Sequence, residues 1–447
     1  MTLSTFARTN PGLSPTRLPS VVALIAIFAA VAHCQQISRL DRERSEAMLA
    51  NISDDVREHY YDSKLHNLDW DALVHQAKLN ISKARDSTVA DAEIAALLER
   101  LNDAHTSFIP IRKPFSVDYG WHFKVLGDRC YVTDVRAGSD AEAKGMKPGD
   151  QVVTIDGFAV DSSTVPKLHY ALNVAMPRTH LDLVLRDSSG KILDFNVASE
   201  VHKERVIWGV DNGGRDAWQQ RLEAEKHIER ARAQVKELGP ELMVLRIPYF
   251  LEDGLPVENL LRNARGHKNL IIDLRGTSGG SLPSLLSYLE NIFDRDVTVG
   301  NQIERDKTVP LSVKGNRRNA FRGDLIVLVD SETASAGEVF ARVVQMEERG
   351  TILGDHTAGM VMESRVFPHV FGENPVYFYG ASVSIAQTVM RDGKSLEHVG
   401  VSPDRTMVPT GADLAAGRDP VLAYAAELVG VKVTPEEAAK FFPLHEK

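Results

Sequence analysis

Two short runs of apolar residues, about fifty residues apart, each end in small residues that precede a helical pattern. The run at 270–274 leads into the glycine-rich turn 275–280, and the run at 325–330 leads into 333–338, which contains Ser335. Apolar runs of this length are typical of buried parallel strands, which deliver turns and helix N-termini to one edge of a sheet. We therefore predict that open backbone amides and the Ser335 hydroxyl meet at this edge, an arrangement that suits acyl transfer.

The remaining periodicity divides the chain into stretches of different character. Residues 36–107 repeat apolar positions at three and four, which predicts helices. Short strand-like runs alternate with turn signals over 114–200, and a charged helical pattern with one narrow apolar side follows at 215–238. From 241 to 408, strand and helix patterns alternate as in an α/β layer, and a helical stretch begins at Asp419.

These patterns predict a multidomain α/β protein. The expected parts are a signal peptide at 1–32, an N-terminal helical domain at 33–112, a β-rich domain at 113–203, a helical linker at 204–240, an α/β core at 241–430 and a C-terminal tail at 431–447. The linker is expected to be solvated and packed on one face only.

The first 32 residues have the pattern of a secretory signal peptide. Arg8 and Arg17 supply positive charge, residues 21–28 are apolar, and residues 30–32 form a small-x-small cleavage site. This apolar stretch is shorter than the roughly 18 residues that a membrane-spanning helix needs, so no stable span is expected. The prediction is export to the periplasm or the extracellular space, with lipid attachment at Cys34 as the alternative.

The net charge and the cysteine content argue against nucleic-acid binding, a disulfide-stabilised fold, metal binding and redox chemistry. The formal net charge is −9 and the isoelectric point is about 5.9, which gives a nucleic-acid partner no electrostatic support. Cys34 and Cys130 are too few for a disulfide scaffold, and their spacing suits neither metal binding nor redox chemistry. No metal or cofactor is expected.

Ser335 is the candidate nucleophile. It lies at a predicted strand-to-helix turn, where the helix dipole favours negative charge, between the small residues Ala334 and Ala336. The amides of Gly280 and Ala336 are predicted to hold an oxyanion. The alternative for this serine is a helix N-cap, because the segment lacks the flanking glycines of a nucleophile elbow. Glu338, one turn along, is expected to support the helix end.

A serine nucleophile needs a base. His105 closes a predicted helix ahead of Thr106, and His356 follows a predicted core strand, so both are candidates. A carboxylate would orient the imidazole, and Glu397 is the candidate for that role, with a surface hairpin acid as the alternative.

Four segments resemble, in the same order, the C-terminal processing (tail-specific) and tricorn-type serine peptidases: residues 273–280, 333–340, 354–359 and 397–404. Residues 137–150 resemble the PDZ segment of this family, and the resemblance covers roughly 38–420. It implies a ClpP/crotonase-like α/β core with an inserted PDZ-like domain at 113–203. It also implies peptide or protein substrates and leaves a homo-oligomer open.

One departure from the family pattern distinguishes its branches. Met360 occupies the position at which many tail-specific members carry a catalytic lysine, and methionine cannot take a proton. The resemblance therefore implies the Ser-His-Glu branch of the tricorn type. Its nucleophile matches Ser335, its base matches His105 and its carboxylate matches Glu397.

In this assignment His105, neutral near pH 7, takes the proton of Ser335, and Glu397 holds the imidazole tautomer. The branch has a serine where Ala104 stands, so a side-chain hydrogen bond from that position to the base or its glutamate partner is not expected. His356 is then assigned to structure.

The PDZ-like resemblance also implies peptide capture. Gly120, Trp121 and Phe123 match the loop that caps a peptide's C-terminal carboxylate beside an edge strand. The alternative is a purely architectural domain.

Three hypotheses follow. The first is an exported, metal-independent serine endopeptidase that acts on extended peptides. The second is a catalytically silent relative that binds peptides or apolar ligands, and the third is a non-proteolytic esterase with the same triad.

Overall fold

The computed structural model describes residues 37–111, 115–161, 164–203, 228–252, 257–372 and 377–442. The predicted signal peptide and Cys34 lie outside the described residues, as do most of the predicted linker and the last five residues of the predicted tail. Within the described ranges, no helix is long and apolar enough to cross a lipid bilayer.

The N-terminal region is helical, as its periodicity predicts. It contains α1 (Arg39–His59), α2 (Trp70–Ser82) and α3 (Ser87–Glu99). The side chain before each helix accepts a hydrogen bond from a first-turn N–H group, which stabilises these helix starts: Ser38, Asp69 and Asp86. The apolar faces pack together and against one face of a later β-hairpin, burying Ile52, Val56, Ile94, Leu98, Tyr379 and Ala381.

A β-rich module follows, which we call the middle module (residues 115–203). Its strands are β2 (Phe115–Asp118), β3 (Trp121–Leu126), β4 (Arg129–Val135), β5 (Gln151–Ile155), β6 (Phe158–Ala159), β7 (His180–Arg186), β8 (Ile192–Ala198) and β9 (Glu200–Lys203). Its helices are α4 (Asp140–Ala143) and α5 (Val165–Tyr170), the latter continuing as a π-helical turn (Ala171–Ala175). The main sheet is antiparallel in the order β3-β4-β5-β7-β8, so β3 is an edge strand.

The α/β core contains a six-stranded sheet in the order β10-β11-β12-β15-β16-β19. These strands are β10 (Gln234–Leu238), β11 (Leu242–Arg246), β12 (Asn269–Asp273), β15 (Asp324–Val329), β16 (Thr351–Gly354) and β19 (Arg405–Thr406). The last five strands run parallel. Every residue of β12 is buried, which explains its continuous apolar run.

Helices cover both faces of this sheet. They are α6 (Val257–Ala264), α7 (Leu282–Ile292), α8 (Ala336–Met346), α9 (Gly411–Ala415), α10 (Pro420–Leu428) and α11 (Pro435–Ala438). α7 and α8 pack on one face, while α10 packs on the other against Leu328 and Leu353. The predicted C-terminal tail thus contains a short helix, α11, whose Ala438 is buried in the same apolar cluster as α10, Leu328 and Leu353.

A second sheet beside the core was not foreseen. It combines β1 (Ser107–Ile109), β13 (Val297–Glu304), β14 (Thr308–Val313), β17 (Glu363–Phe371) and β18 (Tyr377–Met390). The 14-residue strand β18 pairs with β1, β13 and β17, and so joins the N-terminal helices to the core.

The predicted linker helix is wrong at its end. Residues 228–231 are helical, but Gln234–Leu238 is strand β10, which pairs antiparallel with β11 through the turn at Gly239 and Pro240. The charged side chains that suggested a solvated helix are also what an exposed edge strand carries, and four of the five β10 residues are exposed. Pairing with a buried strand therefore outweighs the helical periodicity.

Candidate active site

Ser335 lies where β15 has ended and α8 begins, at the carboxyl edge of the parallel sheet. Its backbone has φ +53° and ψ −119°, a conformation that a non-glycine residue rarely adopts. Its N–H donates to the carbonyl oxygen of Met360 at 2.8 Å, which fixes the turn. The strand-to-helix turn is therefore strained in the manner of a nucleophile elbow, although the flanking glycines are absent.

Glu338 holds this turn from inside the protein. Its fully buried carboxylate accepts hydrogen bonds from the N–H groups of Ser335 at 3.2 Å, Gly359 at 2.8 Å and Met360 at 2.8 Å, and from the Thr357 hydroxyl at 2.5 Å. Burial raises the pKa of Glu338, and these hydrogen bonds oppose the rise. Its observed role agrees with the expected support of the helix end, and it extends to the loop that carries Met360.

The glycine-rich turn lies directly against Ser335. A Cβ atom on Gly279 would come within 2.6 Å of the Ser335 Cβ, and one on Gly280 would come within 2.5 Å of the Phe250 carbonyl oxygen. Both glycines have positive φ, at +108° and +136°. Side chains are therefore excluded here, and the backbone itself approaches the nucleophile.

The two amides predicted for the oxyanion hole are available. Within the described part of the chain, the N–H groups of Gly280 and Ala336 have no hydrogen-bond partner. Both residues line the same cavity as Ser335. Unpaired amides beside a nucleophile are what stabilisation of a tetrahedral intermediate requires.

His105 lies on the segment between α3 and β1 and lines that cavity together with Ser335. Its Nδ1 atom is buried and has no hydrogen-bond partner, while its main-chain N–H donates to Asp103 at 2.9 Å. Burial lowers the pKa of His105, and the negative charges of Glu397 and Asp103 oppose this effect. The imidazole is therefore neutral near pH 7, as a general base must be.

Glu397 lies near His105 but is not hydrogen-bonded to it. Its two oxygens accept from the N–H groups of Ala104 and Val361, each at 2.8 Å. Each carboxylate oxygen can accept a further hydrogen bond, so the predicted hold on the imidazole tautomer stays a prediction. In this arrangement Glu397 affects His105 through its charge and fixes the residue before it.

Asp103 is a residue that sequence reasoning passed over as part of a helix exit. One carboxylate oxygen accepts from the N–H groups of His105 and Thr106 and from the hydroxyl of Ser384. It therefore ties the histidine loop to β18. The Asp-x-x-Thr spacing of Asp103 and Thr106 was a usable signal, because aspartates in such turns often accept from the amides two and three positions further along the chain.

The other histidine candidate lies away from the cavity. His356 contacts the Val399 carbonyl oxygen at 2.6 Å and the Ser402 hydroxyl at 3.3 Å, so it braces the loop after Glu397. This agrees with its assignment to structure.

The cavity has a volume of about 460 Å³. Its apolar wall is formed by Leu282, Leu285, Val339, Val361 and Met362. Glu252, Glu363, Gln302 and Thr388 add polar groups, and the described lining residues include no lysine or arginine. No replacement for the missing lysine at Met360 therefore faces Ser335 from these walls.

The predicted peptide-binding residues of the middle module have mixed positions. The N–H of Gly120 already donates to Asp118 at 2.7 Å, and Trp121 is buried in the module's core. Phe123 stacks on His169 with ring centroids 4.7 Å apart. The edge of β3 remains for strand addition, but the Gly120 amide does not lie open as a carboxylate cradle.

Among the described residues, no group of three His, Cys, Asp or Glu side chains is placed to hold a metal ion.

Residues 241–407 match the family model described as Peptidase family S41. Tricorn protease homolog 2 of Streptomyces coelicolor is 23% identical over 391 residues, covering 83% of this chain and 31% of that protein. Carboxyl-terminal-processing peptidase 3, chloroplastic, of Arabidopsis thaliana is 21% identical, covering 86% and 72%. The chain thus spans about a third of the length of the tricorn homolog.

Solved structures show the same fold. Mature CPAF complexed with lactacystin has a TM-score of 0.62 at 15% identity, covering 84% of this chain and 96% of that chain. Mature CPAF has the same score and identity, with 84% and 94% covered. The helical N-terminal region and the α/β core predicted from the sequence are therefore confirmed as the fold class.

Proposed function

We propose that the protein is a serine endopeptidase that cleaves extended or unfolded polypeptides, since residues 241–407 match the model of Peptidase family S41. The observation that carries the proposal is that Ser335 and His105 line one cavity beside the unpaired amides of Gly280 and Ala336. A nucleophile, a neutral base and an oxyanion hole are the parts that peptide acyl transfer needs.

In the proposed mechanism, the Ser335 hydroxyl oxygen attacks the scissile carbonyl carbon while His105 takes its proton. The N–H groups of Gly280 and Ala336 bind the oxygen that becomes negative. The imidazolium then gives its proton to the leaving amine, and an acyl ester remains on Ser335. Water, deprotonated by His105, hydrolyses that ester, and Glu397 stabilises each imidazolium by its charge.

We also propose that the protein is exported and that its middle module captures peptides. Export rests on the signal pattern of residues 1–32, and the same end of the chain carries Cys34 as the alternative lipid site. The PDZ-like role of the middle module is supported by the resemblance of residues 137–150 and by the location of β3 at the edge of its sheet, since PDZ domains bind peptides at a sheet edge.

The first test is digestion of a denatured, reduced protein such as casein by the purified mature chain. We expect internal cleavage, and we expect EDTA to leave the rate unchanged because the mechanism needs no metal. Intact casein after prolonged incubation would favour the silent relative, and turnover of esters but not peptides would favour the esterase.

The charge of the cavity predicts a substrate preference. Glu252 and Glu363 are the only Asp, Glu, Lys or Arg side chains among the described lining residues, and Gln302 donates to the Glu363 carboxylate. A lysine or arginine next to the scissile bond should raise kcat/KM on the order of threefold to tenfold over glutamate, since exposed pairs contribute modestly.

Paired quenched peptides that differ only at that position measure the preference, and added salt should weaken it. Glu363→Gln should reduce it, whereas Glu58→Gln, on the exposed face of α1, serves as the control. A preference for glutamate would contradict this reading of the cavity.

A further inference from the structure

The middle module reaches the catalytic turn through one ion cluster, in which Lys124 and Asp330 are largely buried and Glu332 is 46% exposed. Lys124, on β3, donates to Asp330 and, at 2.8 Å, to Glu332. The side chains of Lys124 and Asp330 are only 17% and 8% exposed. Burial alone would lower the pKa of Lys124, but the two carboxylates outweigh burial and raise it, so the cluster stays charged.

Asp330 joins this lysine to both halves of the site. Its second oxygen accepts from the N–H groups of Gly276 and Glu332, each at 3.0 Å, and from the Thr333 hydroxyl at 3.3 Å. Gly276 belongs to the glycine-rich turn, and Thr333 lies two residues before the nucleophile. One carboxylate therefore links the turn that bears the oxyanion amide to the turn that bears the serine.

Two further contacts come from the same β3–β4 hairpin. The Ser331 hydroxyl donates to the Val125 carbonyl oxygen at 2.5 Å, and the N–H of Gly127 donates to Asp355 at 2.7 Å. The hairpin thus contacts the segment between β15 and α8, which carries Ser331 and Ser335, and the loop after β16. It reaches the glycine-rich turn through Asp330.

We propose that Lys124 is a positioning residue for the catalytic turns, so that the middle module is part of the catalytic centre. The inference rests on the proposed peptidase function. Without the ammonium group, the buried Asp330 carboxylate would keep its hydrogen bonds to Gly276, Glu332 and Thr333 but lose its salt bridge to Lys124. It would then face the half-exposed Glu332 carboxylate without the cation between them, and the turns carrying Gly280 and Ser335 would move to relieve the repulsion. Displacements of about 1 Å at a reacting centre can cost on the order of a hundredfold in rate.

The test is the rate of fluorophosphonate labelling together with kcat and KM for a quenched peptide. Lys124→Met should slow labelling and lower kcat on the order of tenfold or more with little change in KM. Lys124→Arg should restore most of the rate, and Lys124→Met combined with Glu332→Gln should recover part of it because one unpaired charge is removed. Lys144→Met is the matched control, since Lys144 pairs with Asp140 on the module's exposed side.

Circular dichroism and thermal unfolding establish that each variant is folded at the assay temperature. If Lys124→Met does not fold, the double variant takes its place, and its labelling should remain at least threefold slower than that of the wild type. Labelling of folded Lys124→Met at the wild-type rate would overturn the inference. Absence of labelling in the wild type would instead overturn the proposed function.

Discussion

Ser335→Ala is expected to lower peptide turnover by at least about a thousandfold, because no other group replaces the attacking oxygen. The residual rate would come from substrate binding and the amides of Gly280 and Ala336. The variant should fold normally, since the turn is held by main-chain hydrogen bonds to Met360 and Glu338 that do not use the hydroxyl. Hydrolysis of a quenched peptide under substrate-limited conditions measures kcat/KM for both proteins.

Ser278→Ala is the matched control for that experiment. Ser278 lines the same cavity on the opposite turn but has no part in the proposed chemistry. It should keep at least about a third of the activity, since an exposed hydroxyl contributes little. Full activity in Ser335→Ala, or an equal loss in both variants, would show that Ser335 is not the nucleophile.

His105→Ala should cost about as much as the loss of the serine, because residues that act as one unit lose nearly all of their effect together. In the wild type, kcat/KM should rise with pH as the imidazole loses its proton. Since the pKa of His105 is below its usual value near 6.5, the midpoint of that rise should lie below pH 6.5. A midpoint well above 6.5 would contradict His105 as the base.

The Glu397→Gln variant tests whether Glu397 acts on His105 through its negative charge or only through its hydrogen bonds to the main chain. The Glu397 charge raises the pKa of His105, so its removal should move the acidic limb to lower pH while the maximal rate falls on the order of a hundredfold. Glu427→Gln, on α10, is a control that should leave the limb in place. An unshifted limb would show that Glu397 only fixes the main chain at Ala104 and Val361.

The part of the site that could be predicted follows from the parallel sheet. The apolar runs that became β12 and β15 end at the same edge, so the pairing of Asp273 with Leu328 places the glycine-rich turn beside Ser335. Strands β16 (Thr351–Gly354) and β5 (Gln151–Ile155) lie within the stretches where strand-like runs were predicted, because both are short runs that contain β-branched residues.

What could not be predicted depends on distant parts of the chain. One face of the β17–β18 hairpin packs against the N-terminal helices, while Val366, Val370 and Phe378 are exposed, so the apolar residues of these strands do not follow one simple alternation. The pair of Lys124 and Asp330 joins residues 206 positions apart, and no local signal marks it. The main-chain amides of Ala104 and Val361, which donate hydrogen bonds to the Glu397 carboxylate, could be identified only from the folded structure.

The central claim is that Ser335 is the nucleophile of a peptidase, and labelling with a fluorophosphonate tests it most directly. The purified mature chain is treated with the probe, and intact mass and peptide mapping locate the adduct. We predict a single adduct on the peptide that contains Ser335, absent in Ser335→Ala and much slower to form in His105→Ala. A folded wild-type protein without an adduct, or with its adduct on another residue, would contradict the account.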